Sequence, residues 1–300
     1  MKVPSLDAAE QFVWLNARLI DRLRFACLFR GGAREKVLAA LAPYQNDDGG
    51  FGNALEPDLR GPISQPQPVE VALRIRDEVD AFSGPMVARA LDYLVTVTSR
   101  DGGVPFVLPS VRPYPRAPWW QAPDDPPGGL NPTAAIAGLL HKHKTDHPWL
   151  GPATEFCWSG IQSLQTTDPY EARAVTVFLD HVPDRARAEA AFERVGRMIL
   201  DQELVALDPE APGEVHSPVD FAPDPDTLAR RLFADELFER HLDHLVDSQQ
   251  EDGGWHVNWQ IWTKATDPEW RGWMTVHTLR RLHAHGRLPL ASRGPAAPAP

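Results

Sequence analysis

The sequence predicts an all-α domain in which helical hairpins close into a barrel, an α/α toroid. Three observations predict it. A glycine-centred turn recurs along the chain, two helical burial patterns alternate around that turn, and strand patterning is almost absent.

The turn is the first element. Gln45-Asn-Asp-Asp48-Gly-Gly-Phe51 and Gln249-Gln-Glu-Asp252-Gly-Gly-Trp255 share Gln-x-x-Asp-Gly-Gly-aromatic, Asp101-Gly-Gly-Val104 keeps its second half, and Gln165-Thr-Thr-Asp168 keeps its first. Asp-Gly-Gly suits the end of a helix, because the first glycine takes the left-handed position after the cap and the aromatic folds back as an anchor. The intervals from Gln45 through Thr98 to Gln165 and Gln249 are 53, 67 and 84 residues, so the repeat is degenerate and carries unequal insertions.

Helices flank each turn. Met86, Ala90, Leu91, Leu94 and Val97 form one buried stripe before the second turn, and Leu232, Phe233, Leu237, Phe238, Leu242, Leu245 and Val246 form another before the last. After the turns, residues 69–79, 133–140, 172–182 and 270–282 are apolar or small on nearly all sides. These read as inner helices packed on both faces. Asn131-Pro132, Asp168-Pro169 and Asp267-Pro268 predict capped starts for three of them, and Ser217-Pro218 with Asp220 looks alike before a shorter helix. Only Val104-Pro-Phe-Val107 alternates like a strand, and its proline argues against one. Residues 104–130 and 201–224 are long proline-rich insertions of the kind that cover sites. The expected organisation is one domain over residues 1–287 with a disordered Pro/Ala-rich tail at 288–300.

Bulk properties narrow the function. A chain of 300 residues with 43% hydrophobic content supports one large core. Its formal charge of −11 and pI near 5.4 argue against nucleic acid and anionic membrane surfaces as partners. Two cysteines, Cys27 and Cys157, cannot build a disulfide framework, and the start has no basic segment leading into an apolar signal core. A cytoplasmic location is expected. No stretch approaches the ~18 uninterrupted apolar residues of a membrane span.

The Gln-x-x-Asp-Gly-Gly-Trp/Phe turns resemble the QW-type repeats of squalene-hopene-cyclase-like terpene cyclases and of protein prenyltransferase β-subunits, over roughly residues 30–286. That resemblance implies a cavity in the toroid and a largely apolar small-molecule ligand, in the first instance an isoprenoid. It says less about chemistry, because the same toroid serves thioester proteins, lanthionine cyclases and some glycosidases. The resemblance also sets tests. Protonation-initiated cyclases carry Asp-x-Asp-Asp-Thr, whereas this chain has Asp224-Pro-Asp226-Thr227, one aspartate short. Those residues read equally as the cap and first turn of a helix through Leu228. Neither cysteine follows an aspartate at the spacing of a prenyltransferase zinc site. No metal and no cofactor are expected, and the histidines at 141, 143, 147, 241 and 244 read as ordinary surface or core residues.

Glu56-Pro57-Asp58 is a second acid-proline-acid triplet, but Leu59-Arg60-Gly61-Pro62 follows and forbids a helix, so capping does not explain it. By the resemblance, Glu56, Asp58 and Arg60 look into the barrel mouth. The plainer alternative is a salt bridge fixing the loop. Trp255, Trp259, Trp262, Trp270 and Trp273 crowd 19 residues and predict an aromatic wall, or else a filled core. Trp119 and Trp120, between prolines, are the candidate lid. Candidate catalytic residues are therefore Glu56, Asp58, Asp224 and Asp226. Arg60, Asp220 and the seven tryptophans are the candidate ligand contacts. The leading reading is a terpene cyclase-like or prenyltransferase-like enzyme using carboxylic general acid/base chemistry. The alternatives are an inactive toroid binding a hydrophobic ligand or peptide, and an acid-pair glycosidase.

Overall fold

Among the described residues, twelve α-helices, taken as six consecutive hairpins, make two concentric layers. A computed structural model of the chain describes residues 3–290. The hairpins are α1/α2 (Leu6–Asn16, Leu19–Phe29), α3/α4 (Arg34–Leu41, Pro66–Glu78), α5/α6 (Pro85–Val97, Leu130–Lys142), α7/α8 (Leu150–Ser163, Pro169–His181), α9/α10 (Arg185–Asp201, Pro218–Phe221) and α11/α12 (Asp235–Asp247, Thr266–Ala284). The first helix of each pair is outer, with one buried stripe. The second is inner, and α4 and α6 are buried almost all round. Inner helices pack on inner helices: α4 on α6, α6 on α8, α8 on α10, and α12 on α2. Ion pairs complete the ring, Arg24 to Glu78 between α2 and α4 and Arg281 to Asp220 between α12 and α10. Among the described residues there is no strand, only the isolated bridges Gln45–Phe51, Phe51–Gln65 and Leu59–Arg116.

The repeated turn is what closes the ring. The Gln45 amide donates to Gly49 O at 2.8 Å within its own turn and to Met86 O, at the head of α5, at 2.9 Å. Gln249 does the same in the last turn, donating to Gly253 O and to Ser5 O, each at 2.9 Å, while its Oε1 accepts from the Ser5 N–H at 2.7 Å. Ser5 caps α1, so the last turn is stapled to the first helix. The first glycine of each turn, Gly49, Gly102 and Gly253, has φ of +90°, +95° and +92°. A Cβ there would stand 2.2, 2.7 and 2.1 Å from the carbonyl oxygens of Arg89, Pro152 and Ala8, each in the next outer helix. Glycine is required both by the left-handed backbone and by that close approach. The aromatics behind the turns, Phe51 and Trp255, are buried core residues.

The helix starts depart from expectation in two places. Asp168 caps α8, its Oδ1 accepting from Tyr170 N and Glu171 N at 2.8 and 2.9 Å. Asp267, by contrast, lies within α12, which begins one residue earlier at Thr266, so its carboxylate faces the helix dipole without capping. Asn131 is likewise inside α6, with non-helical φ −97° and ψ 117°, and Gly129 stands at the cap position. Near the C-terminus Leu288 is buried against the core, although the sequence pattern places it in the tail. The tail from 291 onward lies outside the described residues.

Candidate active site

The segment between the first Gly-Gly turn and α4 carries Glu56, Asp58 and Arg60. It is bent inward by two successive left-handed residues, Asn53 at φ +56° and Ala54 at φ +61°. Asparagine tolerates that region and alanine does not, so the bend stores strain where chemistry is expected. Arg18, at the head of α2, holds the bend in place by donating to Ala54 O and Leu55 O at 3.1 and 2.9 Å and pairing with Asp21 at 2.8 Å.

Insertion 104–130 closes over this segment. Ala117 N donates to Asp58 O at 2.9 Å, Arg60 N donates to Pro115 O at 3.1 Å, and both ends of the Gln65 amide tie to Leu108 and Ser110. Trp120 packs with Leu59, Val107, Val111 and Ala117 in a small apolar cluster separate from the main core, and stacks on Phe106 at 4.5 Å. Trp120 therefore belongs to the packing that covers residues 56–60. Its neighbour Trp119 is 46% exposed and faces water.

Under that cover the two carboxyls are buried. Glu56 and Asp58 are only 6% and 3% exposed, so neither stands on an open rim. Glu56 Oε1 accepts from the Asp58 N–H at 3.2 Å, and Asp58 Oδ1 has no hydrogen-bond partner. Burial raises Glu56 from its ordinary 4.5 to about 8, and the charge of Asp58 adds to the rise. Asp58 is pushed up to about 6, again by burial, with Trp270 and Arg60 favouring the carboxylate and Glu269 opposing it. The indole N–H of Trp270 thus lies near Asp58 without completing a hydrogen bond, since both atoms remain unpartnered. Asp58 ionises first, while Glu56 is still neutral, which is why only Glu56 feels its neighbour's charge. Near neutral pH the pair is one carboxylic acid beside one carboxylate. The Arg60–Glu269 ion pair, 2.5 Å long, anchors the loop to α12. The plainer salt-bridge reading therefore applies to Arg60 but not to the two acids.

The other candidates are scattered. Trp270 and Trp259 meet edge to face at 5.1 Å near Asp58, and Trp262 packs against the cover cluster and lines a surface recess with Lys264 and Asp267. Trp255 is structural, its indole donating to Leu245 O at 2.8 Å. Trp273 lies deeper, under Arg24 and Arg74, whose guanidinium carbons stand 4.0 and 5.3 Å from its ring. No single aromatic wall results. Asp224 and Asp226 lie in a turn rather than at a helix start: Asp224 pairs with Arg280 at 3.4 Å, Asp226 is exposed, and the N–H of Leu228 is satisfied by Asp180. Arg280 is ten residues beyond Trp270 on α12, about 15 Å further along the helix axis, so Asp224 and Asp58 are associated with different turns of α12. Asp220 is the half-buried partner of Arg281 at 2.7 Å and accepts from the N–H and hydroxyl of Ser217.

The sequence reading passed over the ring centre. On α4, Glu70, Arg74 and Glu78 repeat every four residues, and on α12 so do Trp273, His277 and Arg281. Spacing of four puts each set on one face. The two faces meet, with His277 Nδ1 4.0 Å from Glu78 Oε1 and Arg24 inserted from α2. Charged residues at that period on otherwise apolar inner helices are the signal that would have found them.

No family model matches the sequence, and no curated protein matches it significantly. Solved structures do match in shape. The apo type II terpene cyclase MstE from Scytonema superposes with a TM-score of 0.58 at 13% identity, covering 95% of this chain and 98% of that one. The two chains share the all-helical toroid fold. An MstE variant in complex with geranylgeranyl dihydroxybenzoate, its substrate, gives 0.57 at 14% identity, covering 95% and 97%. A protein from Actinoplanes gives 0.55 at 18% identity, covering 94% and 89%. At these identities the likeness concerns the helical toroid, and among the described residues no helix is long and apolar enough to cross a membrane.

Proposed function

We propose that this toroid is an enzyme acting on an isoprenoid or similarly apolar small molecule, with Glu56 as general acid and Asp58 as the carboxylate beside it. The observation that carries the reading is the pair's burial under the 104–130 cover, which keeps Glu56 protonated at neutral pH. A carboxyl that stays neutral can give a proton to a weakly basic substrate, and the water-poor surroundings of Leu55, Leu59 and Trp270 suit such a substrate. Asp58 then stabilises the positive charge that protonation creates, with the indoles of Trp270 and Trp259 nearby to add their π faces. The cyclase fold of the structural neighbours supports the substrate class. A glycosidase is less well served, because Glu56 and Asp58 come from one turn of one loop and do not flank a cleft.

The test is direct. Purified protein is incubated with geranylgeraniol, geranylgeranyl diphosphate and geranylgeranylated aromatic acids, and products are followed by gas chromatography with mass detection. Cyclised product is expected from one of them, with turnover lowered at least ~100-fold by Glu56→Gln. Full turnover by that variant removes Glu56 as the acid, and no product from any isoprenoid favours a toroid that only binds.

A further inference from the structure

The interior directly beneath the acid pair is filled. Trp273 lies three residues past Trp270 on α12, about 4.5 Å further along the axis, and is 6% exposed. Arg24 from α2 and Arg74 from α4 stand against its ring, and His277, one turn further along α12, stacks on it at 6.2 Å. Arg24 donates to Asp21 at 2.7 Å and twice to Glu78 Oε2, at 2.9 and 2.7 Å. Arg74 pairs with Glu70 and Arg18 with Asp21, each at 2.8 Å. Three guanidiniums thus face three carboxylates in a neutral layer that runs from α2 across α4 to α12. Arg74 fixes the height of that layer, since its charge is felt by Glu56 above and by His277 below. An apolar chain does not part it. Opening the fully buried Arg24–Glu78 pair strands a charge in the interior, and burying one more isoprene unit does not return that cost. Nor can α12 back away, because a Cβ on Gly272 would stand 2.4 Å from the Cβ of Ala17, between α1 and α2.

We propose that Trp273, backed by this layer, is the floor of the substrate site and fixes the length of isoprenoid chain that fits. The inference rests on the reading that Glu56 and Asp58 act on an isoprenoid, and it names the residue that selects among such substrates. A chain entering under the 104–130 cover passes the two acids and ends against the indole. Trp273 acts by shape alone. Its ring is engaged by Arg24 and Arg74, so the cation formed on protonation is left to Trp270 and Trp259.

The experiment measures equilibrium binding of radiolabelled geraniol, farnesol, geranylgeraniol and geranylfarnesol to the full chain, alongside turnover of each. Wild type is expected to bind one length best and the next longer one at least ~10-fold more weakly, because the surplus carbons meet a floor that does not yield. Trp273→Leu is expected to reverse that order, since the part of the indole it removes is larger than an isoprene unit. Trp14→Leu, at the exposed end of α1, is the control and keeps the wild-type order. Should Trp273→Leu fold poorly, Trp273→Phe supplies the comparison: it keeps an aromatic ring against Arg24 and is expected to narrow the ~10-fold gap without reversing it. The same length order and gap in wild type and in the Trp273 variants, or no length preference in wild type, overturns the proposal. A length order that shifts in binding while no prenol is turned over removes the function proposed above and leaves the floor standing. Cyclised product with an unshifted length order does the opposite, and failure of wild type to bind any prenol overturns both.

Discussion

Replacing Glu56 by glutamine removes one titrating proton and little else, since the amide oxygen can still accept from the Asp58 N–H at 3.2 Å. In the unfolded chain Glu56 ionises near 4.5, whereas in the fold it holds its proton to about 8. A group raised in this way favours folding fully below its unfolded value, and the benefit is lost as pH rises through the folded one. The window is therefore pH 4.5 to 8. At ~1.4 kcal/mol per pH unit the wild type loses up to roughly 5 kcal/mol relative to Glu56→Gln across it, an upper figure because local opening lets water reach the carboxylate. Urea denaturation of both proteins from pH 5 to pH 9 measures the difference. The variant should match the wild type near pH 5 and be clearly more stable by pH 9, even though its turnover is lost. A stability difference that stays constant over that range would refute the burial argument and, with it, Glu56 as a neutral acid.

Further predictions follow from the same geometry. Arg60→Gln leaves Glu269 unneutralised beside Asp58 and should raise the pH at which Asp58 ionises from about 6, moving the acidic limb of any pH–activity profile upward without moving the limb near 8. Asp168→Ala should cost about 1 kcal/mol by denaturant midpoint, whereas Asp267→Ala should cost far less, because only Asp168 bonds the free N–H groups of a helix end. Gly253→Ala should destabilise by about 1–3 kcal/mol or more, since it combines φ +92° with a carbonyl 2.1 Å from the new methyl. A melting temperature equal to the wild type's would mean that the last turn does not seal the ring.

Much of the architecture was legible in the sequence because it follows from local chemistry. Asp-Gly-Gly with a following aromatic specifies a left-handed turn and an anchor, and a one-sided versus all-round apolar pattern tells outer from inner helix. Residues 69–79, 133–140, 172–182 and 270–282 accordingly fall in α4, α6, α8 and α12, with Val79 and Val182 as the C-caps of α4 and α8. The triplet at 56–58 stood out because Gly61 and Pro62 rule out a capping role. What the sequence could not supply was who meets whom across the ring. Burial of Glu56 depends on Pro115 and Ala117, some sixty residues away, bonding back onto its loop. The closure of the barrel depends on Gln249 finding Ser5, 244 residues distant. Asp224-Pro-Asp226-Thr227 has a capping pattern, yet Asp180 from α8 satisfies the N–H of Leu228 and leaves Asp224 to Arg280. The charged stripes of α4 and α12 acquire meaning only when they face one another, because the potential at a point is a sum over residues that only the fold brings together.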